Sequence, residues 1–253
     1  MKKIRIASGA GYAGDRIEPA IDVMKNGDID YIAFECLAER TIAIAQSEKS
    51  KYSDELSKRF NEILPICSEK KIKVITNMGA ANPLAAVKKI KEIANLKNIK
   101  NLKLAAVIGD DISANLNKYR ENNILELNKK LSEISDTLVS ANAYLGVEGI
   151  VEALENNADI IITGRCADPA LFLAPLIYEF NWDKDDADLI AKGIMIGHLL
   201  ECGAQVSGGY YSVPTKDDVK DLWNVGFPIA EVSENGDVLI TKTETTSGKV
   251  TTD

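Results

Sequence analysis

The chain has 253 residues, and 30 Lys and Arg set against 38 Asp and Glu give a formal net charge of −8. That length suits one large domain or two small ones, and 45% hydrophobic with 27% charged residues is a globular balance rather than a disordered one. The acidic excess argues against nucleic-acid or membrane-surface partners, but leaves room for small anions at a local arginine pocket. Cys36, Cys67, Cys166 and Cys202 show no C-x-x-C pair or zinc spacing, which fits reduced thiols in the cytoplasm. No apolar run is long enough for a signal segment or a bilayer span. The longest, residues 170–178, is broken by Pro175.

In chain order, short β-rich runs alternate with longer amphipathic stretches. Residues 4–8 read as a strand, and 15–25 as a helix after a glycine turn. Residues 31–35 form a second strand, followed by helices over 38–48 and 53–70, the latter with Ser53 as N-cap. Residues 73–77 are a third strand, and Pro83 opens a helix over 83–97. Residues 102–108 are a fourth strand, 113–137 a polar helix with one thin stripe of leucines, and 138–141 a short strand. A helix over 147–156 leads into Asp159-Ile160-Ile161-Ile162-Thr163, an apolar run between turns that suits a parallel strand covered on both faces. Residues 188–205 have helical periodicity. Strands alternating with crossover helices predict an α/β fold, a largely parallel, Rossmann-like three-layer sheet with helices on both faces.

The pattern changes near residue 207, where Ser207-Gly208-Gly209 and the segment 214–218 break the helical rhythm. Residues 229–232 and 238–241 around Asn235-Gly236 predict an antiparallel hairpin. We therefore divide the chain into an α/β domain, 1–206, and a β-rich C-terminal extension, 207–253. The extension reads as incomplete: a truncation, half of a split gene, or one chain of an assembly.

Gly9, Gly11 and Gly14 form a G-x-G-x-x-G between the first strand and helix, and Glu35 ends the next strand where a ribose-binding carboxylate would sit. One reading is NAD(P) binding through Gly9, Gly11 and Glu35. Another is a tight turn at Gly14 that presents Asp15 and Arg16 to an anion or substrate. Further polar clusters end the other strands: Asn77 to Asn82, Gly109-Asp110-Asp111, Ser140-Ala141-Asn142, and Gly164-Arg165-Cys166-Ala167-Asp168. Ligands of open α/β sheets bind beyond the carboxyl ends of the strands, so these clusters predict one shared site. Arg16 and Arg165 are the candidate anion clamps. Asn77 and Asn142 could orient a carbonyl, and Asp168 lies beside Arg165. Asp110 and Asp111 could ligate a divalent metal, or Asp110 could serve as general base. The single histidine, His198, shares a helical stripe with Glu201 one turn on, as an acid/base pair or two metal ligands. The Cys202 thiol is a weaker candidate nucleophile.

Several strings occur in a familiar order. They are Ser-Gly followed by Gly-Asp-Arg within 8–16, Ile-Thr-Asn-Met-Gly-Ala-Ala-Asn-Pro at 75–83, Gly-Asp-Asp at 109–111, Val-Ser-Ala-Asn-Ala-Tyr-Leu-Gly at 139–146, Thr-Gly-Arg-Cys-Ala-Asp at 163–168 and Gly-His-Leu-Leu-Glu-Cys-Gly-Ala-Gln at 197–205. Gly-Phe-Pro-Ile-Ala-Glu-Val at 226–232 closes the series. This order resembles the N-terminal domain of the acyclic terpene utilisation (AtuA-like) family, long filed as a domain of unknown function, over essentially the whole chain. The resemblance implies a role in bacterial breakdown of branched acyclic acids or their CoA thioesters, without a settled reaction. The residues add the expectation of a lyase or hydratase that needs an anion clamp and an acid/base pair, with a divalent metal or a CoA thioester as the group it would use. Its partner is then a small acid or acyl-CoA, with a homo-oligomer or a second subunit around it. A nicotinamide-dependent oxidoreductase and a non-catalytic subunit that completes a partner's site are the competing expectations.

Overall fold

The computed structural model describes residues 1–47, 52–210 and 219–251. The elements run β1 (Lys3–Ala10), α1 (Glu18–Asn26), β2 (Tyr31–Phe34), α2 (Glu39–Ser47), α3 (Glu55–Lys70), β3 (Lys73–Thr76), α4 (Pro83–Leu96) and β4 (Leu104–Val107). A small hairpin of β5 (Asn123–Ile124) and β6 (Lys129–Lys130) follows, then α5 (Glu148–Glu155), β7 (Ile160–Thr163), α6 (Ala170–Phe180), α7 (Ala187–Glu201), β8 (Ile229–Ser233) and β9 (Val238–Thr241). The seven-stranded sheet has the order β4-β7-β3-β2-β1-β8-β9. Its first five strands are mutually parallel, while β8 runs antiparallel to both β1 and β9. The chain is α/β, with helices on both faces of a mostly parallel sheet, as the alternation of elements predicts.

Strand periodicity sorts the core into two layers. Tyr31 and Ala33, with Ile75 and Ile161, face α5, α6 and α7. Ile32 and Phe34, with Val74, Ile160 and Ile162, face α1, α3 and α4. Every residue of β2 and β7 is buried, which a strand sandwiched between two helical layers requires. α2 belongs to neither layer. Its Ile42 and Ala45 pack with Leu37 and Ala80 in a small cluster above the ends of β2 and β3, so α2 roofs the carboxyl edge of the sheet.

Several boundaries differ from the sequence expectations, each for a local reason. α1 begins at Glu18 rather than at residue 15, because Asp15 folds back to accept from Gly11 N (2.9 Å) and Arg16 N (2.8 Å), while Pro19 sets the first turn. α3 starts after Asp54, not Ser53, and no side chain caps it. α4 starts as expected, with Asn82 Oδ1 accepting from Ala85 N at 3.0 Å and Pro83 as its first residue. Residues 113–137 are no helix. They form short 3-10 turns and the β5–β6 hairpin with no buried residue, and Leu125 is 91% exposed. A thin leucine stripe with nothing to pack against does not sustain a helix in water. The short strand at 138–141 is reduced to a bridge between Asn142 and Asp111. The run 170–178 is most of α6, a helix buried nearly all round because it lies between α5, α7 and the sheet. The 229–241 hairpin forms as expected, with Gly236 at φ +80° in its turn, and β8 completes its pairing against β1. Glu48 at the end of the 38–48 helix, the 214–218 break and the last two residues lie outside the described residues.

Candidate functional site

The loop after β1 is held by its glycines. Gly9 lies inside β1, at a bulge, and a Cβ there would lie 2.6 Å from the Phe34 ring. A Cβ on Gly11 would lie 2.6 Å from the Cys202 carbonyl carbon and 2.9 Å from Gly203 N. The space that a pyrophosphate would need beside Gly11 is therefore filled by the chain leaving α7, and α1 starts four residues beyond Gly14. Glu35, the ribose-binding candidate, is buried. Its Oε1 accepts from Asn77 Nδ2 (2.8 Å) and Leu37 N (3.0 Å). Arg16 donates to the carbonyls of Trp223 and Val225, both at 2.7 Å. It clasps the loop to the segment before β8 and is not aimed at an anion. A Cβ on Gly14 would meet only the Tyr12 ring, at an ordinary 3.6 Å, and Gly14 lines a pocket of about 290 Å³ with Thr41, Ala45, Ser53 and Ala80. A groove of about 570 Å³ runs along the outer edge of β4, from Lys103 to Ile108, against α5, and none of the candidate site residues lines it. We place the site by its polar chemistry rather than by cavity size.

The ends of β2, β3, β4 and β7 meet as expected. Asn77 joins β3 to β2, its Oδ1 accepting from Cys36 N at 2.7 Å while its Nδ2 donates to Glu35. Asp110 is buried, and its Oδ2 accepts from Arg165 N (2.8 Å) and Asn142 Nδ2 (2.9 Å). Those contacts make Asp110 a positioning carboxylate for the β7 loop rather than a free base, and a side chain at Gly164 would collide with it. Asp111 turns away to accept from Ser113 N at 2.9 Å. Among the described residues no group of three or more His, Cys, Asp or Glu could hold a metal ion, so Asp110 and Asp111 do not make a divalent-metal set on their own.

Arg165 sits at the centre, only 2% exposed. Its Nη1 donates to the Leu37 carbonyl and lies 3.2 Å from Asp168 Oδ1; its Nη2 donates to Glu39 Oε1 at 3.1 Å. The Tyr144 ring covers the guanidinium, with 4.1 Å between Cζ and the ring centroid, and the Tyr144 hydroxyl donates to the same Glu39 oxygen. Burial works against the charge of Arg165, yet Tyr144 and Asp168 outweigh it and raise its pKa. The Tyr144 bond, and Arg165 behind it, hold the Glu39 carboxyl below its usual range. Neither Glu39 nor Tyr144 was singled out from the sequence. Glu39 hides at the start of a helix and Tyr144 within a loop, and only the fold brings both to Arg165.

On α7, His198 Nδ1 lies 2.8 Å from Glu201 Oε1, a close side-chain pair one turn apart, with His198 exposed and Glu201 buried beneath it. Glu201 Oε2 has no hydrogen-bond partner among the described residues. Burial above all, and then the charge of Asp168, raise the Glu201 pKa, while His198 lowers it. Asp168 thus links the two halves of the site, touching Arg165 on one side and acting on Glu201 on the other. Cys202 is no activated nucleophile, since burial and the Glu201 carboxylate raise its pKa.

The family model described as acyclic terpene utilisation family protein AtuA matches residues 4–253. The chain belongs to that family. No curated protein and no solved structure matches it. In this AtuA family chain, four of the motifs quoted above supply Asn77, Asp110, Asn142, Tyr144, Arg165 and Asp168 to one edge of the sheet. A fifth supplies His198 and Glu201 beside them. Among the described residues no helix is long and apolar enough to cross a membrane.

Proposed function

We propose that this chain is an enzyme, or an enzyme subunit, of acyclic terpene breakdown, acting on a small branched carboxylic acid or its CoA thioester by lyase- or hydratase-type proton transfer. The observation that carries this reading is the pairing of His198 with a buried Glu201 whose proton affinity is raised, one carboxylate away from the Arg165 guanidinium. With Glu201 Oε1 2.8 Å from Nδ1, Nε2 of His198 is the nitrogen left to take or return a substrate proton, an orientation effect that a bare surface histidine lacks. Arg165 draws the anionic end of the substrate to the same edge. Asn142, held by Asp110, is the candidate to orient a carbonyl, and its Oδ1 has no partner among the described residues. Asn77 and Glu35 fix the β2 and β3 ends beneath it. The family membership supports branched acyclic substrates. Free thiols at all four cysteines suit a cytoplasmic setting, where the chain works as a homo-oligomer or with a second subunit.

The test is proton exchange. The protein is incubated in D₂O with 3-methylbut-2-enoate or its CoA thioester, and loss of the protons next to the carbonyl and on the methyl groups is followed by NMR. Exchange with one of the two is expected, and His198→Ala and Glu201→Gln should each slow it by about 100-fold or more. Exchange that survives both substitutions removes the pair from the chemistry. Absence of exchange or addition with either compound rejects the substrate class.

A further inference from the structure

Arg165 is buried, yet one of its partners is out of character with the rest. The Leu37 carbonyl is backbone, and Asp168 lies on the same loop three residues on. Glu39 comes from another element, and its side chain is 74% exposed against 3% for that of Arg165. A single oxygen of Glu39 receives both the Nη2 bond and the Tyr144 hydroxyl bond, under the Tyr144 ring. The slot is therefore two donors converging on one carboxylate oxygen, with an aromatic wall. Exposed arms of ion pairs are weakly held, whereas a buried guanidinium stripped of anions is strongly disfavoured. Of the two carboxylates on Arg165, Glu39 is the more exposed, 74% against 35% for Asp168, and so the one solvent releases more readily; a group that replaces it in kind brings a negative oxygen.

We propose that Glu39 holds the place of a ligand carboxylate, and that the substrate binds as the free acid by exchanging with Glu39 on Arg165 and Tyr144. This rests on the reading of the strand-end site as a binder of branched acids, and it sharpens that reading. The slot already accommodates a carboxylate, so a free acid matches it in charge and planar shape. A thioester carbonyl is neutral and cannot replace the charge that Glu39 removes. Asp168 stays in place throughout, so one negative charge leaves as another arrives. While Glu39 occupies the slot, it lowers the apparent affinity by the fraction of time that the slot is closed.

Calorimetric titration with 3-methylbut-2-enoate, its CoA thioester and inorganic phosphate tests this in the wild-type chain and in three variants. Glu39→Gln and Glu39→Ala, both at an exposed helix start, should bind the acid about tenfold more tightly, the gain expected if the slot is closed roughly nine-tenths of the time. Neither the thioester nor phosphate should gain. Tyr144→Phe added to Glu39→Ala, where no competing carboxylate is left to lose the same bond, should weaken acid binding about fivefold relative to Glu39→Ala alone. If the acid binds the wild type and the single Glu39 variants equally, or if adding Tyr144→Phe to Glu39→Ala changes nothing, the exchange is wrong while the acid-binding reading stands. A larger gain for phosphate or the thioester than for the acid also overturns the exchange. If no form binds the acid, the exchange and the acid-binding reading fall together.

Discussion

Glu35 shows how one buried carboxyl shapes the edge of the sheet. Burial raises its pKa, against the bonds from Asn77 and Leu37, with the Asp168 charge adding to the rise. The native state therefore keeps this proton at a pH where the unfolded chain has released it. It binds more protons than the unfolded state across that window, so stability is present below the ordinary glutamate range and lost as pH rises through the raised value. Glu35→Gln keeps an acceptor for Asn77 Nδ2 and Leu37 N but cannot ionise. In urea melts from about pH 5 to about pH 8, the wild type should lose stability relative to this variant as pH rises; parallel profiles would remove the burial argument. Residue roles of this kind were only partly legible in the sequence. Glu35 and Asn77 stood out as polar ends of strands, but that they hold each other could not be read from positions 42 apart. Arg16 looked like an anion clamp because guanidinium groups bind anions, and only the proximity of Trp223 and Val225 shows it bonded to carbonyls instead.

At the scale of elements, amphipathic pattern decided correctly wherever an apolar face existed to be buried. α4 has Asn82 and Pro83 at its start and a buried stripe of Ala86, Ile90 and Ile93, all visible in the sequence. Residues 113–137 misled because helix-like spacing without burial is not a stabilising feature. Since nothing there is buried, the β5–β6 hairpin should be removable. Ser132 N already donates to the Arg120 carbonyl at 2.9 Å, so joining Arg120 to Ser132 through one glycine should alter the melting temperature by less than about 3 °C. A larger fall by calorimetry would show that this excursion supports the sheet. The 170–178 run carried the opposite lesson. Its lack of periodicity hid a helix, because α6 is surrounded on nearly all sides and has no polar face to mark its period.

For the molecule as a whole, the sheet order sets where stability and chemistry lie. β1, β2, β3 and β7 are each paired on both sides and covered by helices, while β9 is an edge and β5–β6 stands apart. Amide exchange should follow that order, slowest in β1, β2, β3 and β7 and fast in β5, β6 and β9; a mass-spectrometric exchange profile with fast central strands would contradict the layering. All the parallel strands point their carboxyl ends the same way, which is why residues as distant as Asn77, Asp110 and Arg165 meet at one edge. By itself the sequence determined the α/β class, the strands of the seven-stranded sheet and the expectation that polar strand ends share a site, because burial periodicity and turn residues are local signals. Its motif order also pointed to the family. Only the tertiary structure decided that Gly11 packs against the end of α7, that Arg16 is a clasp, and that Glu39 and Tyr144 complete the Arg165 site. Those outcomes depend on which side chains meet across different crossovers, and contact between distant segments leaves no period in a single chain.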